Sequence, residues 1–237
     1  MAPEATVPEI LADAEDAWAW VRTGLAPFVR ARTGGAVAVD PARVLVAGES
    51  AGGTLSLMLG LSHPGEIRAV TAAFPGVDWR SPHFSSGDYE KPPMMGRPQL
   101  DRSVIDEHAA RVAGGDAPAV VSDDPAFARL PLMFAAVQHG LFHDLFPPAR
   151  RDLFILDRLD DGAVFPRGGV FVWHGAQDTI VPVEGSLKLR DKIAERDPDL
   201  SFRLTIRDGD HGFDDAVKID EPWMAAGLVS VVSAWLS

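Results

Sequence analysis

The chain has 237 residues, 46% of them apolar and 24% charged, which suits one large folded domain or a core with an inserted subdomain and excludes disorder and a string of small modules. Lys and Arg total 22 against 34 Asp and Glu, a formal charge of −12, so phosphate backbones and anionic headgroups are repelled, and neither nucleic acid nor a membrane surface is an expected partner. Cys is absent, which excludes disulfides, thiol nucleophiles and Cys-ligated zinc; with no basic and apolar leader and no apolar run of about 18 residues, a cytoplasmic protein is expected.

Thr6-Val7-Pro8-Glu9 has the form of a capping box, and Ile10, Ala14, Ala17, Trp18, Val21 and Leu25 recur at helical spacing, which predicts a helix from there to near Gly24. After a turn at Asp40-Pro41, the apolar run Arg43 to Ala47 predicts a strand buried on both faces that stops at Gly48. Ala51 to Leu61 is apolar nearly all round, which predicts a buried helix. Strands are predicted at Ile67 to Phe74, Val170 to Trp173 and Phe202 to Ile206, with helices at Pro182 to Arg196 and Pro222 to Leu236. Strands alternating with helices give an α/β fold on a mostly parallel sheet. Between Trp79 and Pro166 repeated prolines break short helical stretches, so residues 79–166 are expected to form an inserted helical cap and residues 1–78 and 167–237 the α/β core.

Gly48-Glu49-Ser50-Ala51-Gly52 fits G-x-S-x-G between a predicted strand and a predicted helix, the setting of a nucleophile elbow. The requirement is steric: Ser50 occupies a strained turn, and small residues two before and two after it, Gly48 and Gly52, let strand and helix approach. Glu49 completes the elbow, and the N–H of Ala51 lies where a helix N-terminus can stabilise an oxyanion. A phosphate loop is the alternative for Gly48 to Gly53, but Thr54 stands where that loop needs Lys. A serine hydroxyl needs a base, and the base a carboxylate. Asp178 follows the strand ending in Trp173-His174-Gly175, and His211 lies in Asp210-His211-Gly212-Phe213 after the last predicted strand. Nucleophile, acid and base thus fall in that order at the carboxyl ends of different strands, where functional groups gather in open parallel sheets.

These segments together, Ala2-Pro3-Glu4, Gly-Glu-Ser-Ala-Gly-Gly at 48–53, His174-Gly175 through Asp178 with Val181-Pro182, and Asp210-His211-Gly212-Phe213, resemble the hormone-sensitive-lipase-like carboxylesterases of the α/β-hydrolase fold, the fold-3 group. The resemblance implies Ser50 as nucleophile, His211 as general base and acid, and Asp178 as orienting carboxylate, with Asp210 and Asp214 as fallback acids. It implies no cofactor, a small-molecule ester as substrate and acyl-enzyme chemistry; the apolar 79–166 interval and the acidic net charge favour small to medium, uncharged or apolar esters. Members of that group carry a His-Gly-Gly loop whose N–H groups complete the oxyanion hole; no His-Gly-Gly occurs here and the first His is His63. An N-terminal truncation that removes about four strands of the family's sheet is therefore expected, with impaired activity or a ligand-binding remnant as the alternative to an efficient esterase.

His139 and His143 stand at i, i+4, but no Glu follows His139 and no third ligand is evident, so no metal site is expected. Leu132, Met133, Phe134, Val137, Leu141, Phe142, Leu145 and Phe146 are expected to give the cap an apolar face, and Met94-Met95 either to line the acyl site or to fill core gaps. If the strand after Arg43 is an edge, nothing in its apolar sequence blunts it, and pairing into a homodimer or aggregation is expected.

Overall fold

The computed structural model describes residues 3–118, 121 and 123–237. Helix α1 (Val7–Thr23) opens with the expected capping box: the Thr6 N–H and hydroxyl both donate to the Glu9 carboxylate at 2.7 Å. Ala2 of the Ala2-Pro3-Glu4 segment lies outside the described residues. Glu4 is held by Arg129 and by His108, the latter at 2.7 Å, which ties the start of the chain to the helices of the 79–166 interval. Past Gly24 the chain continues as α2 (Leu25–Arg32), none of whose residues is buried; a helix without a buried stripe leaves no periodicity to read.

The elements that follow are β1 (Leu45–Glu49), α3 (Ser50–Ser62) and β2 (Ala69–Ala73), then α4 (Pro82–Ser85), α5 (Ser103–Gly114), α6 (Leu130–Gln138), α7 (Phe142–Leu145), a 3₁₀ turn at Arg151–Leu153 and α8 (Ile155–Asp160). The chain closes with β3 (Val170–Gly175), α9 (Glu184–Arg196), β4 (Phe202–Arg207) and α10 (Pro222–Leu236). The strands form a four-stranded sheet in the order β1-β2-β3-β4, every pair parallel, with Leu45 opposite Ala69, Val70 opposite Val170 and Val170 opposite Phe202.

Alternation along the strands sorts side chains to two faces. Val70, Ala72, Val170 and Val172 pack with Leu57, Leu61, Leu189 and Ile193 from α3 and α9. Ala69 and Phe171 face Met224 and Val231 of α10. That second contact is close enough to demand glycine: a Cβ on Gly227 would stand 2.0 Å from the Phe171 ring.

Burial corrects one expectation. The strand begins at Leu45 rather than Arg43 and is not buried on both faces: Leu45 and Val46 are half-buried while Ala47 and Glu49 are exposed. Its composition suits an interior strand, but among the described residues β1 pairs with β2 alone, and how many neighbours a strand has is a property of the whole sheet. Packing also divides the 79–166 interval. Ile155, Leu159 and Phe165 join the core beside Leu57 and Val70, whereas Trp79, Phe84, Met94, Phe134, Val137 and Phe146 form a separate cluster against Ile180 and Val181.

Candidate active site

Ser50 stands at the junction of β1 and α3 with φ of 52°, a left-handed conformation costing a non-glycine residue on the order of 1 kcal/mol or more. The junction is tight on one side. A Cβ on Gly48 would lie 2.2 Å from the Gly52 carbonyl oxygen, and one on Gly53 would lie 3.0 Å from the Ala73 oxygen. A Cβ on Gly52 would meet open space, so the steric reason offered for both flanking glycines applies to Gly48 and, unexpectedly, to Gly53. Ala51 is exposed in the first turn of α3, where backbone N–H groups lack intrahelical partners.

His211, in the turns after β4, places Nε2 3.0 Å from Ser50 Oγ and Nδ1 2.8 Å from Asp178 Oδ2. Asp178 comes from the loop between β3 and α9, and its side chain is fully buried. Its Oδ1 accepts the N–H groups of Ile180 at 2.9 Å and Val181 at 2.7 Å. Burial pushes the Asp178 carboxyl pKa up, but hydrogen bonds from His174 and His211, the charge of His211 and the Val181 N–H outweigh it and hold the pKa down at about 2. The group is a carboxylate throughout the neutral range. It therefore assigns the proton of a neutral His211 ring to Nδ1 and leaves Nε2 as the acceptor facing the serine hydroxyl.

Three neighbours hold this arrangement, and none was singled out as functional from the sequence. His174, wholly buried at the end of β3, sets Nδ1 2.8 Å from Ser186 Oγ and Nε2 2.8 Å from the Val181 carbonyl and 3.3 Å from Asp178 Oδ2. Its i, i+4 spacing to Asp178 was visible, as was an imidazole closing an apolar strand. Phe74, at φ of 33° after β2, lays its ring edge-on to His211 with centroids 4.5 Å apart. Thr179 donates its hydroxyl to Asp210 and accepts the Met95 N–H at 2.8 Å.

The fallback carboxylates are occupied elsewhere. Asp210 accepts the N–H groups of Thr179 at 2.7 Å and of His211 at 2.8 Å, and Asp214 accepts the Trp173 indole N–H. They brace the turn that carries His211 and leave Asp178 beside its ring. The two methionines part: Met94 is fully buried against Phe134, while Met95 stands 49% exposed in a turn where it and Gly96 both take positive φ. His139 places Nε2 2.9 Å from the Leu100 carbonyl, and Gly140, at φ of 70°, separates α6 from α7 so that His139 and His143 do not share a helix. Among the described residues no helix is long and apolar enough to cross a membrane.

The parallel sheet flanked by helices defines the class: residues 1–140 match the α/β-hydrolase fold family, and the chain belongs to it. Over 98% of its length it is 26% identical to a probable carboxylesterase, M8, of Phoma sp., and the match spans 72% of that protein. A protein of unknown function from Staphylococcus aureus subsp. aureus Mu50 superposes with a TM-score of 0.56 at 17% identity, over 98% of this chain and 73% of that one. An α/β-hydrolase enzyme from a Medee basin deep-sea metagenome library does so with a TM-score of 0.50 at 16% identity, over 100% and 69%. At such identities the two structures establish the fold alone.

Proposed function

We propose that this chain is a serine hydrolase of carboxylic esters. One observation carries the reading: Ser50 Oγ, the His211 ring and the Asp178 carboxylate form a continuous hydrogen-bonded relay of 3.0 Å and 2.8 Å. In this reading His211 Nε2 takes the Ser50 proton as Oγ attacks the ester carbonyl carbon, and the Ala51 N–H at the start of α3 stabilises the developing oxyanion. The imidazolium returns the proton to the departing alcohol oxygen and leaves an acyl-serine. Water then repeats the sequence and releases a carboxylic acid. The net charge of −12 and the apolar cluster around Trp79 and Phe134 favour uncharged or apolar esters. The part of the interval that packs in that cluster serves as the cap, touching the Asp178 loop through Ile180 and Val181.

A second reading, a ligand-binding module that acylates but turns over slowly, is favoured by the open space beside Gly52 and the exposure of Ala51, since one N–H supplies only part of an oxyanion hole. A fluorophosphonate probe followed by peptide mapping, with p-nitrophenyl acetate turnover, tests both. Labelling at Ser50 with steady turnover, abolished in Ser50→Ala, supports the hydrolase. Stoichiometric labelling with a burst and no steady rate supports the slow module, and undiminished turnover in Ser50→Ala removes both. The free edge of β1 further supports pairing with a second copy. Sedimentation at micromolar concentration tests it, and a monomer would dismiss the dimer.

A further inference from the structure

A cavity of about 290 Å³ opens between α1, the last turns of α3, the segment before α8 and α8 itself. Met58 of its wall lies about 12 Å along α3 from Ser50 at the helical rise per residue, so the cavity is separate from the serine. Pro8, Leu11, Ala14, Leu59 and Leu153 supply an apolar lining. The charged groups on the wall are unequal in what they leave free. Glu15 is engaged by His63 at 2.6 Å, and Arg150 holds both oxygens of Asp152 at 2.8 and 2.7 Å.

Arg158 is different. Its Nη1 makes long contacts of 3.3 Å to the Met58 carbonyl and 3.2 Å to Ser62 Oγ, enough to cap the end of α3. Its Nε and Nη2 have no hydrogen-bond partner, and it forms no ion pair, among the described residues. Burial pushes the Arg158 pKa below its usual value, while the more distant Glu15 and Asp152 carboxylates push it up. A half-buried guanidinium with one unpartnered edge, on a wall whose other charged groups Glu15, Arg150 and Asp152 are already engaged, leaves two donors available to an anion.

We propose that this cavity binds a small amphipathic monocarboxylate, with the carboxylate against the open edge of Arg158 and the apolar tail against Leu11, Ala14 and Leu59. The fork geometry of a guanidinium matches a carboxylate. Glu15 and Asp152 on the same wall disfavour a dianion such as a phosphate monoester, and the volume, at the lower end of ligand pockets, limits the ligand to a short chain or one ring. The inference is independent of the chemistry at Ser50.

The test is calorimetric titration of the full chain with hexanoate, using hexanol as the uncharged control, on protein whose Ser50 has been blocked with a fluorophosphonate. Saturable binding of hexanoate, roughly tenfold or more tighter than hexanol and weakened to a similar degree in Arg158→Met, is expected. Leu11→Trp, which fills the cleft from α1 and leaves Arg158 in place, should also remove binding and covers the case in which Arg158→Met does not fold. No binding up to about 10 mM, equal affinity for hexanol, or full affinity in Leu11→Trp would overturn the proposal. Binding that disappears when Ser50 is blocked would overturn it too, because hexanoate would then occupy the serine site.

Discussion

Replacing Asp178 by Asn changes one charge at the best-defined position of the site. In the wild-type chain the Asp178 carboxyl is lowered from an ordinary 3.8 to about 2, which contributes about 2 kcal/mol of stability at neutral pH, at ~1.4 kcal/mol per tenfold. Because the folded pKa is depressed, that stability is present above the unfolded value near 4 and is lost as pH falls through the folded value near 2. The amide can keep the Ile180 and Val181 N–H bonds on its oxygen, but its NH₂ then faces the N–H groups of His174 and His211. Urea unfolding of both proteins at a series of pH values from 7 down to about 2 reads the effect. The stability gap between wild type and Asp178→Asn should be largest at neutral pH and narrow by about 2 kcal/mol across the acid range. A gap that stays constant would refute the claim that ionised Asp178 is selectively stabilised in the fold. The same variant tests the relay: an amide N–H toward His211 Nδ1 makes that nitrogen the acceptor and turns Nε2–H toward Ser50, so ester turnover should fall by about 10⁴, the size such a swap has in a serine-protease triad.

Gly48→Ala should be poorly tolerated, because its Cβ would lie 2.2 Å from the Gly52 carbonyl oxygen, backbone that cannot step aside; a thermal midpoint unchanged from wild type would contradict the tight junction. His174→Phe removes a buried partner of Ser186, Val181 and Asp178 and should lower unfolding free energy by about 1–3 kcal/mol, measured by urea titration at neutral pH. His211→Ala should abolish ester hydrolysis, because Ser50 Oγ loses the ring nitrogen 3.0 Å away; undiminished turnover in a variant that remains folded by circular dichroism would count against His211 as the base.

Where a residue's role is fixed by its own backbone or its near neighbours, the sequence carried it. Pro222 at the start of α10 and the Thr6–Glu9 box at the start of α1 mark helix ends through local chemistry, and Gly48 announces a close approach because no larger residue fits. That Ser50, Asp178 and His211 would meet at one end of the sheet was legible because each follows a recognisable strand. What depended on distant packing was not. The apolar run of β1 does not reveal that it lies at the sheet edge, nor does Met94-Met95 show that a left-handed turn buries one and exposes the other. Asp210 and Asp214 lie nearer His211 in the sequence than Asp178 does; only the positions of Thr179 and Trp173 settle which carboxylate reaches the His211 ring.

The place of β1 in the sheet has a dynamic consequence. Glu49, its last residue, leads directly into Ser50, while Asp178 and His211 follow β3 and β4 on the far side of β2. Fraying of β1 breaks one ladder only, and it withdraws the Ser50 hydroxyl from the His211 ring while the β2-β3-β4 scaffold stays folded. Partial opening of that kind lies well below the cost of global unfolding. Hydrogen exchange at Val46 and Ala47 should therefore outpace exchange at Val70 and Val172, and mild denaturant should silence Ser50 before the core melts. A strand that paired along the outer edge of β1 would hold Ser50 beside His211 without touching either.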